Sequence, residues 1–520
     1  MRAKTGILFV IFSSMIGSAA AQDAKSLLQA ADKAMGTSAV NSVQYGGTGW
    51  MGAVGQSFAT QGANSDWPRT DFKSYTATID YASKSSKEEH VRVQGNNVAR
   101  GGGFVPLQGE VSTTNFVSDS FAWNLNAQGQ PNPQPAAAQV RQLLIWASPH
   151  GFIKAAQQAK DATVEDRYYV RQDRTLKVVG FTTMGKYRLT GEFNKDNVLE
   201  RVITWIPDPV LGDMMVELRY NDYRDVGNGA KLPYRIHAHQ GDNPLVPGGH
   251  NWMEVRVTDA KVNVANAAQA VPDNVRSAPA PQTRVTPQKV GDGVWLMGGS
   301  GAHSIAIEFK DFIAVVEAPA NETRSNAVIA EIKKTIPNKP IRYLVVTHHH
   351  FDHAGGVRTY AAEGATIVTD ERNKDYFQRI VLGPQSRALE PDRLSQFAFA
   401  PTGPGPLMLQ TFSDEYAISD GQKSILLYHI ENLNHADDML IAYLPQEKIV
   451  VNGDLYGPPP PGATPPNVNL NAVAFYRNLK RLKLDVAQHV PIHGNPGSHA
   501  DFERIVGPVA ARTPAPGGGG

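Results

Sequence analysis

The chain has 520 residues, and its 50 lysines and arginines against 49 aspartates and glutamates leave a net charge of +1. This balance argues against a protein that binds the phosphate backbone of nucleic acids, because such proteins carry a clear basic excess. A hydrophobic fraction of 41% excludes a disordered chain, and the length predicts several domains. The absence of cysteine excludes disulfides, thiolate metal sites and a cysteine nucleophile.

The first 21 residues have the pattern of a secretory signal peptide. Arg2 and Lys4 are followed by an apolar run over 6–17 and by three alanines at 19–21. The apolar run is shorter than the ~20 residues that span a bilayer, although a membrane anchor is the alternative interpretation. No later stretch of the sequence is apolar enough to cross a membrane. We therefore predict a periplasmic or secreted protein with no integral membrane segment after processing.

Residues 22–276 are predicted to form a β-rich domain. Helices are expected over 24–36, 137–148 and 151–161, where apolar residues have helical spacing. The rest alternates between apolar and polar residues, which is typical of half-buried strands. The clearest of these stretches are 74–81, 186–193, 199–205, 216–223 and 233–239. We expect an antiparallel sheet that curves around one or two helices as a partial barrel. In its strand pattern and its Gly, Tyr and Pro positions, 170–275 resembles the outer-membrane lipoprotein-carrier type of domain, which can cradle apolar chains.

Two histidines, His237 and His239, are two positions apart on one predicted strand, so their side chains lie on the same face. Such a pair can contribute to a metal site, but the neighbouring sequence offers no third ligand. We interpret both as polar residues on a solvated strand face.

A proline-rich stretch over 277–287 is predicted to be a stiff linker. It precedes a C-terminal domain over 288–507, and residues 508–520, which end in four glycines, are predicted to be a flexible tail. Ten of the 15 histidines lie from His303 onward, so metal or acid–base chemistry is expected in the C-terminal domain. The strands and helices predicted there include 304–309, 312–316, 321–335 and 470–482.

The densest set of chemically active side chains is in residues 341–356. A β-branched apolar run predicts a buried strand, and the glycine pair at 355–356 allows a tight turn into a helix. Between them stand four side chains that can bind a metal: His348, His350, Asp352 and His353. A solvated polar loop would not need alternate histidines followed by Asp-His and two glycines, so we interpret the segment as a metal-binding loop at the end of a strand.

Three later residues extend this set. His435 comes just before a predicted strand, and Asp454 and His493 each come just after one. All three therefore stand at strand edges, where loops converge. Any one of them alone is more typical of an ordinary loop, but together with the four-residue cluster they predict a shared site.

On these residues, the chain resembles the metallo-β-lactamase superfamily over 288–507. The family motif His-x-His-x-Asp-His stands here at positions 348–353, and the later family ligands match in order and approximate spacing. The resemblance implies an α/β fold, an αββα sandwich in which two mixed sheets face each other with helices outside. It also implies two zinc ions, with other divalent metals as the alternative. One zinc would be bound by His348, His350 and His435, the second by Asp352, His353 and His493, with Asp454 bridging them.

Three positions depart from the family pattern. Glu317 stands where the family often has Asp at the end of a strand, Ala436 follows the third ligand, and Ile492 precedes the last one. None of these departures removes a metal ligand, but they weaken any close analogy in substrate.

Hydrolysis is the reaction that we expect from a centre with two metal ions. Two cations can share one hydroxide and lower the pKa of its parent water, and the hydroxide then attacks a carbonyl or phosphoryl centre. A bridging carboxylate, here Asp454, is typical of the glyoxalase II, lactonase and phosphoesterase branches. We therefore expect an exported dizinc hydrolase of an ester, lactone or thioester. Asp352 is a candidate for orienting the nucleophile, and Tyr456 and His303 are candidates for protonating the leaving group.

Other activities stay open at this point. They are a β-lactamase-type amide hydrolase, a mononuclear iron oxygenase, and a non-catalytic protein whose N-terminal domain holds an apolar ligand. The expected partner is a small-molecule substrate, and the sequence gives no oligomeric state. Two proline-rich loops, 400–406 and 457–466, are predicted to frame the site.

Overall fold

The computed structural model describes residues 11–103, 105–170, 173–397, 407–460, 462–463, 465 and 467–513. Residues 1–10 of the predicted signal peptide, the predicted loop at 400–406 and residues 514–520 of the predicted tail lie outside the described residues. Within the described ranges, no helix combines the length and the apolar character that crossing a bilayer requires.

The N-terminal part is built on one antiparallel sheet of 13 strands. The strands are β1 (Ser42–Gly52), β2 (Arg69–Asp80), β3 (Ser85–Val93), β4 (Val111–Ser118), β5 (Phe121–Leu125), β6 (Pro131–Pro133), β7 (Thr163–Tyr169), β8 (Arg174–Thr183), β9 (Tyr187–Phe193), β10 (Leu199–Asp208), β11 (Gly212–Asp225), β12 (Lys231–Gln240) and β13 (His250–Val262). Their order is β6-β5-β4-β3-β2-β1-β13-β12-β11-β10-β9-β8-β7. The first and last strands, β1 and β13, thus pair in the middle and join the two halves of the sheet.

Four helices belong to this part of the chain: α1 (Ile11–Met35), α2 (Ala138–Ala147), α3 (Pro149–Gln158) and α4 (Asp273–Arg276). The predicted helices over 137–148 and 151–161 are confirmed. The helix predicted over 24–36 ends at Met35 as expected but begins earlier, because the alanine-rich stretch before it also favours helix.

Helix α3 packs on the sheet through aromatic rings. The Phe152 ring lies 5.1 Å, centroid to centroid, from Phe181 and 6.0 Å from Phe193. A Cβ atom at Gly191 would lie 2.3 Å from the Phe152 ring, so the absence of a side chain there lets the ring reach the strand. These rings are fully buried and form the apolar core between helix and sheet.

The C-terminal part contains two mixed sheets. The seven-stranded sheet consists of β14 (Thr286–Gly291), β15 (Val294–Gly298), β16 (Ser304–Glu308), β17 (Ile313–Val316), β18 (Ile341–Val345), β19 (Thr366–Asp370) and β20 (Leu409–Phe412). The six-stranded sheet consists of β21 (Glu415–Ser419), β22 (Ser424–His429), β23 (Leu440–Leu444), β24 (Ile449–Asn452), β25 (Gln488–Pro491) and β26 (Gly497–Ser498). Strands β17 to β20 run parallel to one another, as do β24 and β25.

The helices of this part are α5 (Glu322–Thr335), α6 (Phe351–Ala354), α7 (Val357–Ala362), α8 (Lys374–Tyr376), which continues into a π-helical turn (Phe377–Val381), α9 (Arg393–Phe397), α10 (Leu470–Arg481) and α11 (His499–Arg512). The helices predicted over 321–335 and 470–482 are confirmed as α5 and α10. Helix α5 begins where the sequence indicates, because the Asn321 side chain accepts a hydrogen bond from the Arg324 N–H at 3.0 Å.

Three apolar layers hold the sandwich together. Between the two sheets, Ile305 and Val345 of the first share a buried cluster with Leu427 and Val490 of the second. Helices α5 and α7 cover the outer face of the seven-stranded sheet, and α10 and α11 cover the outer face of the six-stranded sheet. The predicted αββα sandwich is therefore confirmed, with a β-rich antiparallel domain before it.

The β-rich part and the sandwich are docked against each other. At the turn between β10 and β11, the Asp213 carboxylate accepts hydrogen bonds from the N–H groups of Ala388 (2.8 Å) and Leu389 (3.1 Å). Arg387 returns a hydrogen bond to the Val210 carbonyl at 2.9 Å. One buried apolar cluster also contains residues from both parts, among them Leu211 and Tyr376 of α8.

Helix α11 (His499–Arg512) extends into the first residues of the predicted tail, 508–520. It continues through Pro508 to Arg512, and Ala510 is buried against α10. Arg477 of α10 donates a hydrogen bond to the Ala510 carbonyl at 2.9 Å, which ties down this last turn.

His237 and His239 lie on the same face of β12, as predicted, but that face is not freely solvated. Their side chains are only 18% and 13% exposed. Nδ1 of His239 donates to the buried Glu217 at 2.7 Å, and Nδ1 of His237 lies 3.5 Å from the buried Glu254. Arginines on β10 to β13 pair with the same two glutamates, as Arg201 does with Glu217, so the histidines belong to an ion-pair network across the sheet.

Candidate metal centre

The predicted site residues stand at the carboxyl ends of strands. The metal-binding loop, residues 347–353, follows β18 and enters the one-turn helix α6. Asp454 follows β24, His493 follows β25, and His435 lies in the loop before β23. Because β18 and β24 belong to the two facing sheets, the sandwich brings these loops together at one edge.

The structure brings all seven predicted ligands together in two adjoining groups. In the first group, Nε2 of His348 lies 3.0 Å from Nδ1 of His350 and 3.3 Å from Nε2 of His435. Oδ2 of Asp454 completes this group at 3.0 Å from Nε2 of His435. The ligand atoms of the four residues all lie within 4.8 Å of one another.

The second group consists of Asp352, His353, His493 and again Asp454. Nε2 of His353 lies 3.1 Å from Oδ1 of Asp454 and 3.2 Å from Nε2 of His493. Oδ2 of Asp352 lies 3.5 Å from Nε2 of His353 and 3.6 Å from Nε2 of His493. Asp454 thus presents one oxygen to each group, which is the arrangement of a bridging carboxylate.

Hydrogen bonds on the far side of the rings fix the orientation of four histidines. Nε2 of His350 donates to the Ser57 carbonyl at 2.8 Å, and Nδ1 of His493 donates to the Gly301 carbonyl at 2.8 Å. Nδ1 of His348 lies 3.0 Å from the Thr347 hydroxyl. In each case the ring nitrogen left over faces the cluster, which is how proteins set the tautomer of metal-binding histidines.

Glu317 orients the fourth of these histidines, His353. One carboxylate oxygen accepts a hydrogen bond from Nδ1 of His353 at 3.1 Å, and the other accepts one from the Thr347 N–H at 2.8 Å. Glu317 is fully buried and its φ is +75°, a left-handed conformation unusual for a residue with a side chain. In the sequence alone, Glu317 is only a departure from the family pattern. Its position at the end of β17, beside β18, is the signal that indicates this role.

His349 is the one histidine of the 348–350 run outside the two groups. Its ring and backbone N–H bind Asp438, and its Nε2 lies 3.1 Å from the Ser57 hydroxyl. Neither Asp438 nor Ser57 is among the residues predicted from the sequence. The adjacent acidic pair 437–438 is a weak signal, and Ser57 carries none, because it comes from the distant β-rich domain.

The charges inside the cluster are strongly coupled. Burial would raise the pKa of the Asp454 carboxyl, but the neighbouring His353 and His435 outweigh it and hold that pKa well below its usual value. Burial and the adjacent imidazoles hold the pKa of His348 well below its usual value. An ionised Asp454 and a neutral His348 are forms that can bind a cation. Burial would lower the pKa of His353, but the charges of Asp454, Glu317 and Asp352 outweigh it and raise that pKa.

The donor set fits a divalent cation of borderline softness. All the ligands offer nitrogen or oxygen, as Zn²⁺ accepts, and sulfur is absent from the set. Oδ1 of Asp454 is buried and has no hydrogen-bond partner among the described residues, so a lone pair of this oxygen is available to a cation. The inward-facing histidine nitrogens of the two groups lie around the same space. The cluster contains too few hydrogen-bond acceptors for all of them.

The cluster opens to solvent on one side. The side chains of His348 and His353 are fully buried, whereas those of Asp352 and His493 are 44% and 39% exposed. A small molecule therefore reaches the cluster from the side of the second group.

The two candidate proton donors lie in different surroundings. The Tyr456 ring packs against Phe502 and His489, and its buried hydroxyl has no hydrogen-bond partner among the described residues. Nothing in these contacts links it to the two ligand groups, so its role stays a prediction. His303 donates from Nε2 to the carbonyl of Gly494, the residue directly after His493, at 3.0 Å.

Comparison with known proteins agrees with this geometry. Residues 323–509 match the family model described as the metallo-beta-lactamase superfamily. A curated relative, the linear primary-alkylsulfatase of a Pseudomonas species, is 25% identical over 226 residues, which cover 37% of this chain and 41% of that protein. The chain thus spans less than half the length of this relative.

Similar solved structures each cover 44% of this chain. A metallo-beta-lactamase from Pontibacter korlensis is 20% identical, with a TM-score of 0.32 and 100% of its chain covered. The metallo-beta-lactamase FIM-1 from Pseudomonas aeruginosa, in a mono-zinc form, is 23% identical, with a TM-score of 0.31 and 95% of its chain covered. In its αββα sandwich, its ligand motif and the family match over 323–509, the C-terminal domain of this chain is similar to the metallo-beta-lactamase superfamily.

Proposed function

We propose that this protein is a metal-dependent hydrolase of an ester-type bond that works with two divalent cations. The observation that carries the proposal is the position of Asp454, whose two oxygens face two separate groups of ligands. A single-cation site needs one such group, whereas a shared carboxylate is useful where two cations lie side by side. We expect zinc as the native metal, because the ligands are imidazoles and carboxylates.

When bound, two such cations supply Lewis acidity and lower the pKa of a bound water toward neutrality. Seven residues of this chain would hold these cations. His348, His350 and His435 would hold the cation of the buried first group, Asp352, His353 and His493 would hold the cation of the group that faces solvent, and Asp454 would contribute to both. Asp352 is also the residue that we expect to orient the attacking water, since its carboxylate lies at the open side of the cluster.

Ester-type substrates are favoured by two observations. The shared carboxylate of Asp454 supports the expectation of an ester, lactone or thioester, and the curated relative is named as a hydrolase of primary alkyl sulfates, which are sulfate esters. We therefore include sulfate esters of primary alcohols among the candidate substrates.

The proposal is tested with a panel of carboxyl esters, lactones, thioesters, primary alkyl sulfates and β-lactams. Each is assayed with the metal-free chain, with added Zn²⁺, and with the Asp454→Asn variant. We expect Zn²⁺-dependent hydrolysis of at least one ester-type substrate. The variant should lose more than about 100-fold in rate, since even the loss of an outer partner of a metal ligand costs about 10–100-fold.

The same preparation separates the alternative activities. Metal analysis that finds two zinc equivalents per chain supports the proposal. One iron per chain with consumption of oxygen would replace it with an oxygenase, and turnover of only the β-lactam would replace it with an amide hydrolase. A chain that binds no transition metal contradicts it altogether.

We further propose that the mature protein acts outside the cytoplasm. The basic start, the apolar run and the small residues at 19–21 support this proposal. Cell fractionation with N-terminal sequencing tests it: the exported protein should begin at Gln22, and an uncleaved cytoplasmic chain would contradict it.

A further inference from the structure

The β-rich domain reaches the metal-binding loop with two backbone segments, 53–58 and 101–103. The Ser57 carbonyl accepts the hydrogen bond from Nε2 of His350, and the Gly55 carbonyl accepts one from the Phe351 N–H at 3.2 Å. The two segments are joined to each other, because the Gly102 N–H donates to the Gln56 carbonyl at 2.9 Å. The consecutive residues His350 and Phe351 of the metal-binding loop are thus held by the β-rich domain.

The side chain of Gln56 makes the most direct of these contacts. Its Nε2 donates a hydrogen bond to Oδ1 of Asp352 at 2.7 Å, across 296 positions of sequence. Its Oε1 accepts a hydrogen bond from the Gly103 N–H at 2.9 Å. Since a backbone N–H can only donate, this second bond fixes which end of the carboxamide is oxygen and directs the NH₂ group at Asp352.

The close fit around Gln56 depends on a glycine. A Cβ atom at Gly102 would lie 2.0 Å from Oε1 of Gln56 and 2.8 Å from the ring of His350. The backbone of the 101–103 segment therefore lies directly against a ligand ring and against the carboxamide, and a residue with a side chain would push both apart.

The hydrogen bond divides the two oxygens of Asp352 between two tasks. Oδ1 is occupied by Gln56, and Oδ2 faces the second group, 3.5 Å from His353 and 3.6 Å from His493. Asp352 stands on the single turn of α6 and is the most exposed of the ligands, so its own element constrains it little. Among the described residues, Gln56 is the side chain that hydrogen-bonds Oδ1.

We propose that Gln56 is a positioning residue for Asp352, through which the β-rich domain sets the affinity of the second ligand group for its cation. The proposal rests on the proposed function only in that the second group holds a cation. The β-rich domain would thus act directly on the metal centre. This role is separate from any apolar molecule that the domain itself binds.

Metal binding tests this proposal without reference to turnover. The metal-free full-length chain is titrated with Co²⁺, followed by calorimetry and by the visible absorption of the bound ion, in wild type and in Gln56→Met, which keeps the length of the side chain but removes its donor. We expect the weaker of two binding constants to fall by about 10–100-fold and the stronger to stay unchanged. The matched control is Gln44→Met, since Gln44 lies on β1 and donates to the Thr78 hydroxyl at 2.8 Å, away from the loop.

A second variant separates positioning from a structural role. In Gln56→Asn, the carboxamide is kept but its stem is one methylene shorter, so the NH₂ group no longer reaches Oδ1 of Asp352. The weaker Co²⁺ constant should therefore fall as it does in Gln56→Met, although a polar side chain remains, and the stronger constant should stay unchanged.

Each result decides the proposal. Equal weakening of both binding constants, an unchanged weaker constant in Gln56→Met or in Gln56→Asn, or the same loss in Gln44→Met would overturn it. A wild-type chain that binds no Co²⁺ would overturn both this proposal and the proposed function. The expected loss of the weaker constant in a chain that hydrolyses none of the panel would support the positioning role of Gln56 and contradict the hydrolase.

Discussion

Asp438 binds His349 at two points. One carboxylate oxygen accepts a hydrogen bond from the His349 backbone N–H at 2.9 Å, and the other lies 2.9 Å from Nδ1 of the ring. Both residues are buried, and Asn373 donates a further hydrogen bond to the same carboxylate. Burial would lower the pKa of His349, but the charge of Asp438 outweighs it and raises that pKa. Because His349 stands between His348 and His350, this contact holds the backbone of the metal-binding loop.

Replacement of Asp438 by alanine should therefore destabilise the protein. Asp438→Ala leaves an uncompensated buried imidazole and N–H, which costs about 3–5 kcal/mol of unfolding free energy. Denaturant unfolding of the metal-free chain measures this loss. The neighbouring Asp437→Ala is the control, because burial raises the pKa of Asp437 to about 6 and its removal relieves that cost. Equal losses in the two variants would contradict the bracing role of Asp438.

Glu317→Gln should weaken the metal centre while keeping the fold. The amide oxygen can still accept from the Thr347 N–H, but the NH₂ group then meets the N–H of His353, so the ring loses its preferred orientation. We expect about 10–100-fold weaker Zn²⁺ binding by competition with a chelator. Glu308→Gln, which removes only a partly exposed ion pair with Lys339, is the control and should bind Zn²⁺ as wild type does. Unchanged affinity in Glu317→Gln would refute the orienting role.

Replacement of Arg324 by lysine should destabilise the protein. This buried guanidinium donates to three backbone carbonyls, those of Arg284 (2.7 Å), Met297 (2.8 Å) and Gly298 (2.9 Å). A lysine ammonium cannot reproduce this fork, so Arg324→Lys should lower the unfolding free energy by about 1–3 kcal/mol. Since Arg284 lies in the predicted linker 277–287, limited proteolysis there should also become faster. Wild-type stability and cleavage rate would show that the linker is held by other contacts.

His150 should make the protein sensitive to mild acid. The ring is fully buried, with Nδ1 2.9 Å from the Thr37 hydroxyl and Nε2 donating to the Lys231 carbonyl at 3.0 Å. Burial lowers the pKa of His150 to about 4, against about 6.5 in the unfolded chain. The unfolded state therefore binds the extra proton first as the pH falls, and stability is lost between about pH 6.5 and 4, by up to about 3 kcal/mol.

The measurement is the unfolding free energy as a function of pH for wild type and His150→Gln. The variant is expected to be less stable at pH 7 but to lose less on acidification, so that the two curves converge toward pH 4. Parallel curves would mean that His150 does not contribute to the acid sensitivity.

The seven residues of the two groups could be predicted from the sequence, four of them because their information is local, and His435, Asp454 and His493 because they stand at strand edges in the order of the family that the chain resembles. His348, His350, Asp352 and His353 lie within six positions directly after an apolar β-branched run. That run forms a strand, and the four residues therefore stand together at its end. The same holds for α5, whose cap at Asn321 and apolar spacing are both properties of one short segment. The αββα sandwich was expected from the resemblance to the superfamily, and the order of such elements agrees with it.

Only the tertiary structure decided which groups support those ligands. Gln56 and Asp352 are 296 positions apart, and their contact exists because the β-rich sheet docks on the sandwich through Asp213 and the 386–389 segment. No periodicity or motif marks Gln56, Ser57 or Asp438, since a hydrogen bond between distant residues depends on how packed domains meet and not on neighbouring residue types. The sequence by itself thus determined the ligands and their order, whereas the docking of two domains determined how they are held.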